Sequence, residues 1–197
     1  MRLGDGPPVV AVLFSRGVLP AITGNEAFAR AASGWVEHAG EALYVVEAQV
    51  DREHLVDLYL GMLERVPAAD NLEVRLLEHF EDAGQTDVWL TGRTTARKLL
   101  TFLDERDEDL IGNGHLELSI YLRVQRATLR LTEHKTIIWL AEDRALARDV
   151  ERWLGELGVP RVEQLVTIEA GSHVHYRIGK SRDRKKLGEE LFRQRLR

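Results

Sequence analysis

The stretch HLELSIYLRVQRATLRLTEHKTIIWL, residues 115–140, carries the clearest evidence about the fold. Its first third alternates between two kinds of side chain. The apolar set is Leu116, Leu118, Ile120 and Leu122, and the intervening set is Glu117, Ser119 and Tyr121. A period of two indicates a strand with one buried face, as in an antiparallel sheet. The pattern continues over 127–132 and again over 136–140, after the polar residues 133–135, so we expect three strands here.

Two segments of the chain, at about residues 42–104 and 135–197, resemble each other. Each contains a glycine-basic-hydroxyl junction before a helix, GRTTARKLL from Gly92 and GKSRDRKKL from Gly179. Each also contains an earlier helical pattern with apolar residues at matching positions. These are Leu55, Tyr59, Met62, Leu63 and Val66 in the first segment, and Leu146, Val150, Trp153, Leu154 and Leu157 in the second. The order strand, helix, strand, strand, helix in both segments suggests an internal duplication of a split βαβ type.

We therefore predict an α+β fold in a single domain over residues 1–197, with a mixed β-sheet and two pseudo-repeated β-α-β-β-α lobes. The second segment needs strands over 162–168 and 173–178 to match the first. Near the N-terminus, Asn25 is a candidate cap for a helix that continues through Trp35. An alternative takes Val9 to Phe80 as an alternating βαβαβ unit of the doubly wound type.

Composition narrows the class of protein. The 44% apolar and 30% charged residues are ordinary for a globular chain that buries a core. The chain has no cysteine, which excludes disulfides, thiol catalysis and cysteine-ligated metal sites, and makes a cytoplasmic location the default expectation. The apolar run from Val9 to Phe14 is too short for a signal peptide or a membrane span, so we expect no membrane partner.

Charge is distributed unevenly along the chain. Residues 177–197 carry net +6, which leaves −11 for residues 1–176 out of a total of −5. Acidic surfaces raise the association rate with basic partners, and an exposed aromatic residue can anchor such a contact. The candidate partner-binding residues are Glu78, Phe80, Glu81, Asp82, Asp107, Glu108 and Asp109. Ordinary solubility explains acidic runs equally well.

The repeated junctions are weak candidates for anion binding, through Arg93 and Thr94 in one and Lys180 and Ser181 in the other. A helix N-terminus presents N–H groups to anions, but the preceding glycine that a phosphate-binding loop requires is missing. We expect Thr94 and Ser181 to cap their helices instead.

His173 and His175 lie two residues apart on a predicted strand, so their side chains share one face. A metal site would need a third ligand, and His79, His115 and His134 all lie at predicted strand ends. Nothing in their spacing selects one of them, and the sequence therefore predicts neither a metal nor another cofactor.

No complete catalytic motif occurs, and three functional hypotheses remain. The first is a non-enzymatic protein-binding protein, in its most specific form an immunity-type inhibitor of a basic toxin. The second is a nucleic-acid-associated regulatory protein that uses the basic C-terminal helix. The third is a small-ligand-binding protein or hydrolase that uses the region of His173, His175 and Arg177.

Overall fold

The computed structural model describes residues 14–22, 26–38, 40, 42–77, 86–179 and 181–193. The strands are β1 (Val18–Pro20), β2 (Gly34–His38), β3 (Tyr44–Gln49), β4 (Asn71–Leu77), β5 (Thr86–Leu90), β6 (Leu116–Leu122), β7 (Ala127–Leu131), β8 (Ile137–Ala141) and β9 (His173–His175). The helices are α1 (Leu55–Arg65), α2 (Ala96–Asp104), α3 (Ala147–Glu156) and α4 (Arg184–Arg193), with short 3₁₀ turns at Glu26–Phe28 and Ile168–Ala170. The α+β class predicted from the sequence is confirmed.

Seven strands form one sheet in the order β2-β3-β8-β7-β6-β4-β5, and β1 and β9 form a separate two-stranded sheet. The alternating stretch supplies the middle of the large sheet, where Leu118 pairs with Leu131 and Leu129 with Trp139. Every pairing between named strands is antiparallel, whereas we expected a mixed sheet. The doubly wound alternative, which requires parallel strands, is therefore wrong.

The core lies on the apolar side of the large sheet, where all four helices contribute to one cluster of buried residues. Leu116, Leu118, Ile120 and Leu122 are fully buried there. A smaller cluster of Phe14, Val18, Phe28, Ala31 and Ile168 packs beneath the two-stranded sheet. Among the described residues, no helix combines the length and apolar composition that spanning a bilayer would require.

The second half of the predicted duplication differs from the first in its strands. Residues 162–168 form no strand, because the segment meets β2 at a single bridge between Trp35 and Arg161. β9 pairs with β1 rather than with the large sheet, whereas β4 and β5 pair with each other inside it. The helices correspond, but the strand order does not, so the structure does not bear out two equivalent lobes.

Near the N-terminus the expected helix is absent from the described residues. Phe28 lies in a 3₁₀ turn, and Trp35 and Val36 lie in β2. Asn25, and the part of the Val9 to Phe14 run before Phe14, fall outside the described residues.

Trp153 joins α3 to the sheet. Its ring packs edge-to-face on Trp139 of β8, with 6.2 Å between centroids, and only 6% of the residue is exposed. Edge-to-face pairs of this kind add to the free energy gained by burying the rings.

We expect Trp153→Ala to lower the free energy of unfolding by about 3–5 kcal/mol, because the substitution leaves a cavity against Trp139. Urea denaturation followed by circular dichroism measures it. Phe192→Ala, at an aromatic residue of α4 that is 72% exposed, is the matched control and should cost less than about 0.5 kcal/mol. Equal effects of the two substitutions would show that Trp153 is not a core residue.

Candidate metal centre

The loop between β7 and β8 presents two functional side chains, His134 and Lys135. It is a three-residue hairpin loop, closed by hydrogen bonds from Thr132 N–H to the Thr136 carbonyl (2.9 Å) and from Lys135 N–H to the Thr132 carbonyl (3.0 Å). The last loop residue adopts the left-handed conformation that such loops require, with φ +65° at Lys135. A lysine in a position that favours glycine is unusual, and here the lysine side chain is buried.

The histidines of β9 reach this loop from the other sheet. His175 pairs with Val18 and His173 with Pro20 across the two-stranded ladder. Alternation along the strand turns both histidine side chains to one face, as the sequence predicted, while Val174 on the opposite face is 43% exposed.

A close approach of two glycines holds β9 in place. A side chain at Gly114 would overlap the carbonyl of Gly17, and Gly17 itself has φ +92°. The Gly17 carbonyl accepts the N–H of Tyr176 at 2.8 Å, and the N–H of Gly114 donates to the Tyr176 carbonyl at 3.0 Å. Only residues without a side chain permit this contact.

The structure brings His134, His173 and His175 together, so that one ring nitrogen of each lies within 4.8 Å of the others. The ring centroids are 4.9 Å apart for His134 and His173, and 5.1 Å apart for both other pairs. All three residues are half-buried. The cluster therefore connects the two sheets through three imidazoles.

Oxygen atoms fix the orientation of each ring through Nδ1. His173 Nδ1 donates to the Gly171 carbonyl at 2.9 Å, and His175 Nδ1 donates to the Gly114 carbonyl at 2.6 Å. His134 Nδ1 lies 3.1 Å from a carboxylate oxygen of Glu169. A proton on Nδ1 leaves the lone pair on Nε2, which is the arrangement found in histidines that ligate metals.

Opposing effects act on the pKa of His134. Burial lowers the pKa of His134, while the carboxylates of Glu169 and Glu133 raise it and His173 lowers it further. The net direction is downward, so the ring is mostly neutral near pH 7 and needs to lose no proton to bind a cation. A carboxylate oxygen of Glu133 lies 3.9 Å from His134 Nε2, the nitrogen that carries the lone pair.

Lys135, next to His134 in the loop, carries a buried amine. The residue is 1% exposed, and its Nζ donates to the carbonyl of Leu116 at 3.1 Å. Burial lowers the pKa of Lys135 to about 7, against the opposing effect of Glu133 and Glu117. The amine anchors the hairpin loop to β6, and this contact offsets the strain of its left-handed backbone.

Lys135 predicts a specific pH dependence of stability. Its pKa is about 7 when folded and roughly 10.4 when unfolded, so between these values the unfolded chain holds a proton that the folded chain has lost. The free energy of unfolding attributable to Lys135 therefore rises with pH across this window. We expect Lys135→Met to remove that slope, since methionine fills the space without charge.

The measurement is urea unfolding of metal-free protein at several pH values from 7 to 10. The quantity compared is the difference in free energy of unfolding between Lys135→Met and the unsubstituted chain. Both side chains occupy the same left-handed backbone, so its strain cancels. The stability gained by the variant should be largest near pH 7 and shrink toward pH 10. A difference that stays constant with pH would contradict a buried, neutralised amine.

Of the other two histidines named from the sequence, the structure describes His115, which is not part of this cluster. His115 lies close by, with its ring centroid 6.1 Å from that of His175, and His79 falls outside the described residues. The sequence left three candidates for the third ligand, and of the two that the structure describes, His134 is the one that lies with the pair. Glu169 and Lys135 carried no signal in the sequence, since one lies in a 3₁₀ turn and the other in a polar loop.

The acidic residues proposed for partner binding lie in different settings. Glu78, Phe80, Glu81 and Asp82 fall outside the described residues. Asp107 and Glu108 are half-buried, and Asp109 is 7% exposed and forms an ion pair with Arg182. The immunity-type hypothesis therefore stays a prediction that depends chiefly on the first four residues.

The helix caps lie further along the chain than predicted. Thr95, rather than Thr94, caps α2 by accepting the N–H of Lys98 at 3.4 Å. The hydroxyl of Ser181 donates to the Ile178 carbonyl, and Asp183 accepts the N–H of Lys186 at 2.9 Å at the start of α4.

Of the remaining residues considered for anion binding, Arg93 is exposed and lies 3.6 Å from Asp70. Lys180 falls outside the described residues.

We expect Thr95→Ala to lower the free energy of unfolding by about 0.5–2 kcal/mol, because an N–H of the first turn loses its acceptor. Thr94→Ala is the matched control and should change it by less than about 0.5 kcal/mol. Thermal melts of the two variants compare them directly. The reverse ranking would restore Thr94 as the cap.

Among the described residues, four basic side chains in or next to the C-terminal helix pair with acidic groups of the same chain. The pairs are Arg182 with Asp109, Arg184 with Asp87, Lys186 with Asp183 and Arg193 with Glu190. Pairing of this kind weakens the positive field that would attract nucleic acid.

Comparisons with known proteins add no functional information: no family model, no curated protein and no solved structure matches the chain.

Proposed function

We propose that this protein binds a divalent transition metal ion, zinc by ligand preference, through His134, His173 and His175. The observation that carries the proposal is the convergence of three imidazoles whose Nδ1 atoms all face oxygen acceptors. Random surface histidines have no reason to share this orientation, whereas metal ligands require it.

The ligand set favours a transition metal such as zinc over calcium and magnesium. Neutral imidazole nitrogen suits zinc, copper, nickel and iron, whereas calcium and magnesium prefer oxygen. A tetrahedral zinc ion needs about 3.3 Å between its ligand nitrogens, given Zn–N bonds of about 2.0 Å. The ring nitrogens lie within 4.8 Å of one another, so the rings would have to move closer together to hold the ion.

Three protein ligands leave one tetrahedral position for water or substrate. Structural zinc sites use four protein ligands, whereas catalytic ones use three. This supports the third hypothesis drawn from the sequence, a ligand-binding protein or hydrolase in the region of His173 and His175. A zinc ion in such a site would lower the pKa of bound water and make hydrolysis the reaction class to test.

The test is a titration of metal-free, full-length protein with Zn²⁺, followed by calorimetry, and with Co²⁺, followed by its visible spectrum. We expect one ion per chain. His134→Ala, His173→Ala and His175→Ala should each weaken binding by at least about tenfold, because each removes one of three ligands. His38→Ala is the control, since His38 of β2 pairs with Glu47 of β3 and is not in the cluster.

Circular dichroism establishes that each variant is folded before binding is compared. The proposal fails if the unsubstituted protein binds no ion in the micromolar range. It also fails if His38→Ala weakens binding as much as the three cluster variants do.

A further inference from the structure

A second group of functional side chains surrounds an open pocket of about 480 Å³ away from the three histidines. Three arginines line it, Arg16 from the turn before β1, Arg52 from the turn before α1, and Arg177 after β9. Tyr176 and Ile178 line it as well. These residues come from three distant parts of the sequence, so the pocket is a product of the fold.

The residues that line this pocket carry more positive than negative charge. Among the described residues that line it, Glu108 is the single acidic side chain against three guanidinium groups. Like charges held together repel each other, and a bound anion would remove that repulsion.

The guanidinium groups are only partly engaged by the protein. Arg52 donates one Nη2–H to the Tyr176 hydroxyl at 3.0 Å, which orients it toward the pocket wall formed by Tyr176. Arg16 lies 3.8 Å from Asp107, beyond hydrogen-bonding distance. A guanidinium has five N–H donors, so most of the donor capacity of both groups is not used by these contacts.

We propose that this pocket binds the phosphate group of a small phosphorylated ligand. Planar guanidinium groups donate paired hydrogen bonds to phosphate oxygens, and their positive charge attracts an anion. A volume of about 480 Å³ is within the range of small-molecule sites and exceeds what a phosphate alone needs. The ring of Tyr176 and the side chain of Ile178 offer an apolar surface to the organic part of the ligand.

The inference does not depend on the metal site, because none of the three histidines lines the pocket. The experiment therefore uses metal-free, full-length protein in the presence of a chelator. Calorimetric titrations are made with inorganic phosphate, phenyl phosphate and acetate at constant ionic strength. We expect saturable binding of phosphate, at least tenfold tighter binding of phenyl phosphate, and no saturable binding of acetate.

Substitutions locate the binding. Arg52→Ala and Arg177→Ala should each weaken phenyl phosphate binding by at least tenfold, and Arg52→Lys should weaken it because charge remains but the paired donors are lost. Arg148→Ala, at an exposed arginine of α3, should bind as the unsubstituted protein does. If an alanine variant fails to fold, Arg52→Lys and Arg177→Lys give the comparison.

Three results would overturn the proposal. The first is no saturable binding of either phosphate probe. The second is binding that Arg52 and Arg177 substitutions leave unchanged. The third is acetate binding as tightly as phosphate, which would assign the pocket to carboxylates.

Discussion

The contact between Gly17 and Gly114 is the constraint on which both candidate sites depend. It lets the chain before β1 pass directly over the turn before β6, closer than any side chain would allow. Tyr176 then bonds to both glycines, so that the segment after β9 is held between them. A contact between backbones fixes position more rigidly than one between long side chains, because no rotamers are involved.

Each site inherits its geometry from this contact. The Gly114 carbonyl orients His175, and the Gly17 carbonyl accepts the N–H of Tyr176, the residue after His175. Arg16 precedes one glycine, and Tyr176 lines the arginine pocket. The candidate metal centre and the pocket therefore both depend on this contact, and a change there would disturb both.

Much of the fold could be predicted from periodicity. Residues 162–168 show why the rest could not. The alternating stretch gave the central strands, and the 3.6-residue pattern gave α1 and α3, because each pattern reflects a face buried on one core. Residues 162–168 have a similar apolar content, but their backbone N–H and carbonyl groups are hydrogen-bonded outside any strand ladder. Val162 N–H donates to the Trp35 carbonyl, and the Gln49 amide donates to the Val166 carbonyl. Such side-chain and single-bridge solutions depend on tertiary neighbours and leave no period in the sequence.

The candidate site shows the same division. The shared face of His173 and His175 follows from strand alternation and was predictable. That His134 rather than His115 joins the pair was not predictable, since it depends on which sheet β9 joins. Strand pairing between distant segments is decided by the whole core rather than by local pattern.

The small size of the β1–β9 sheet has a consequence for how tightly any ligand is held. Two strands of three residues form a ribbon that is marginal on its own in water, so its opening is governed by local contacts rather than by the main core. An ion held between His134 and β9 would bind only those protein molecules in which this ribbon is docked. Measured affinity would then equal the intrinsic affinity multiplied by the docked fraction, and residues under the ribbon, such as Phe28, would influence metal binding without touching the metal.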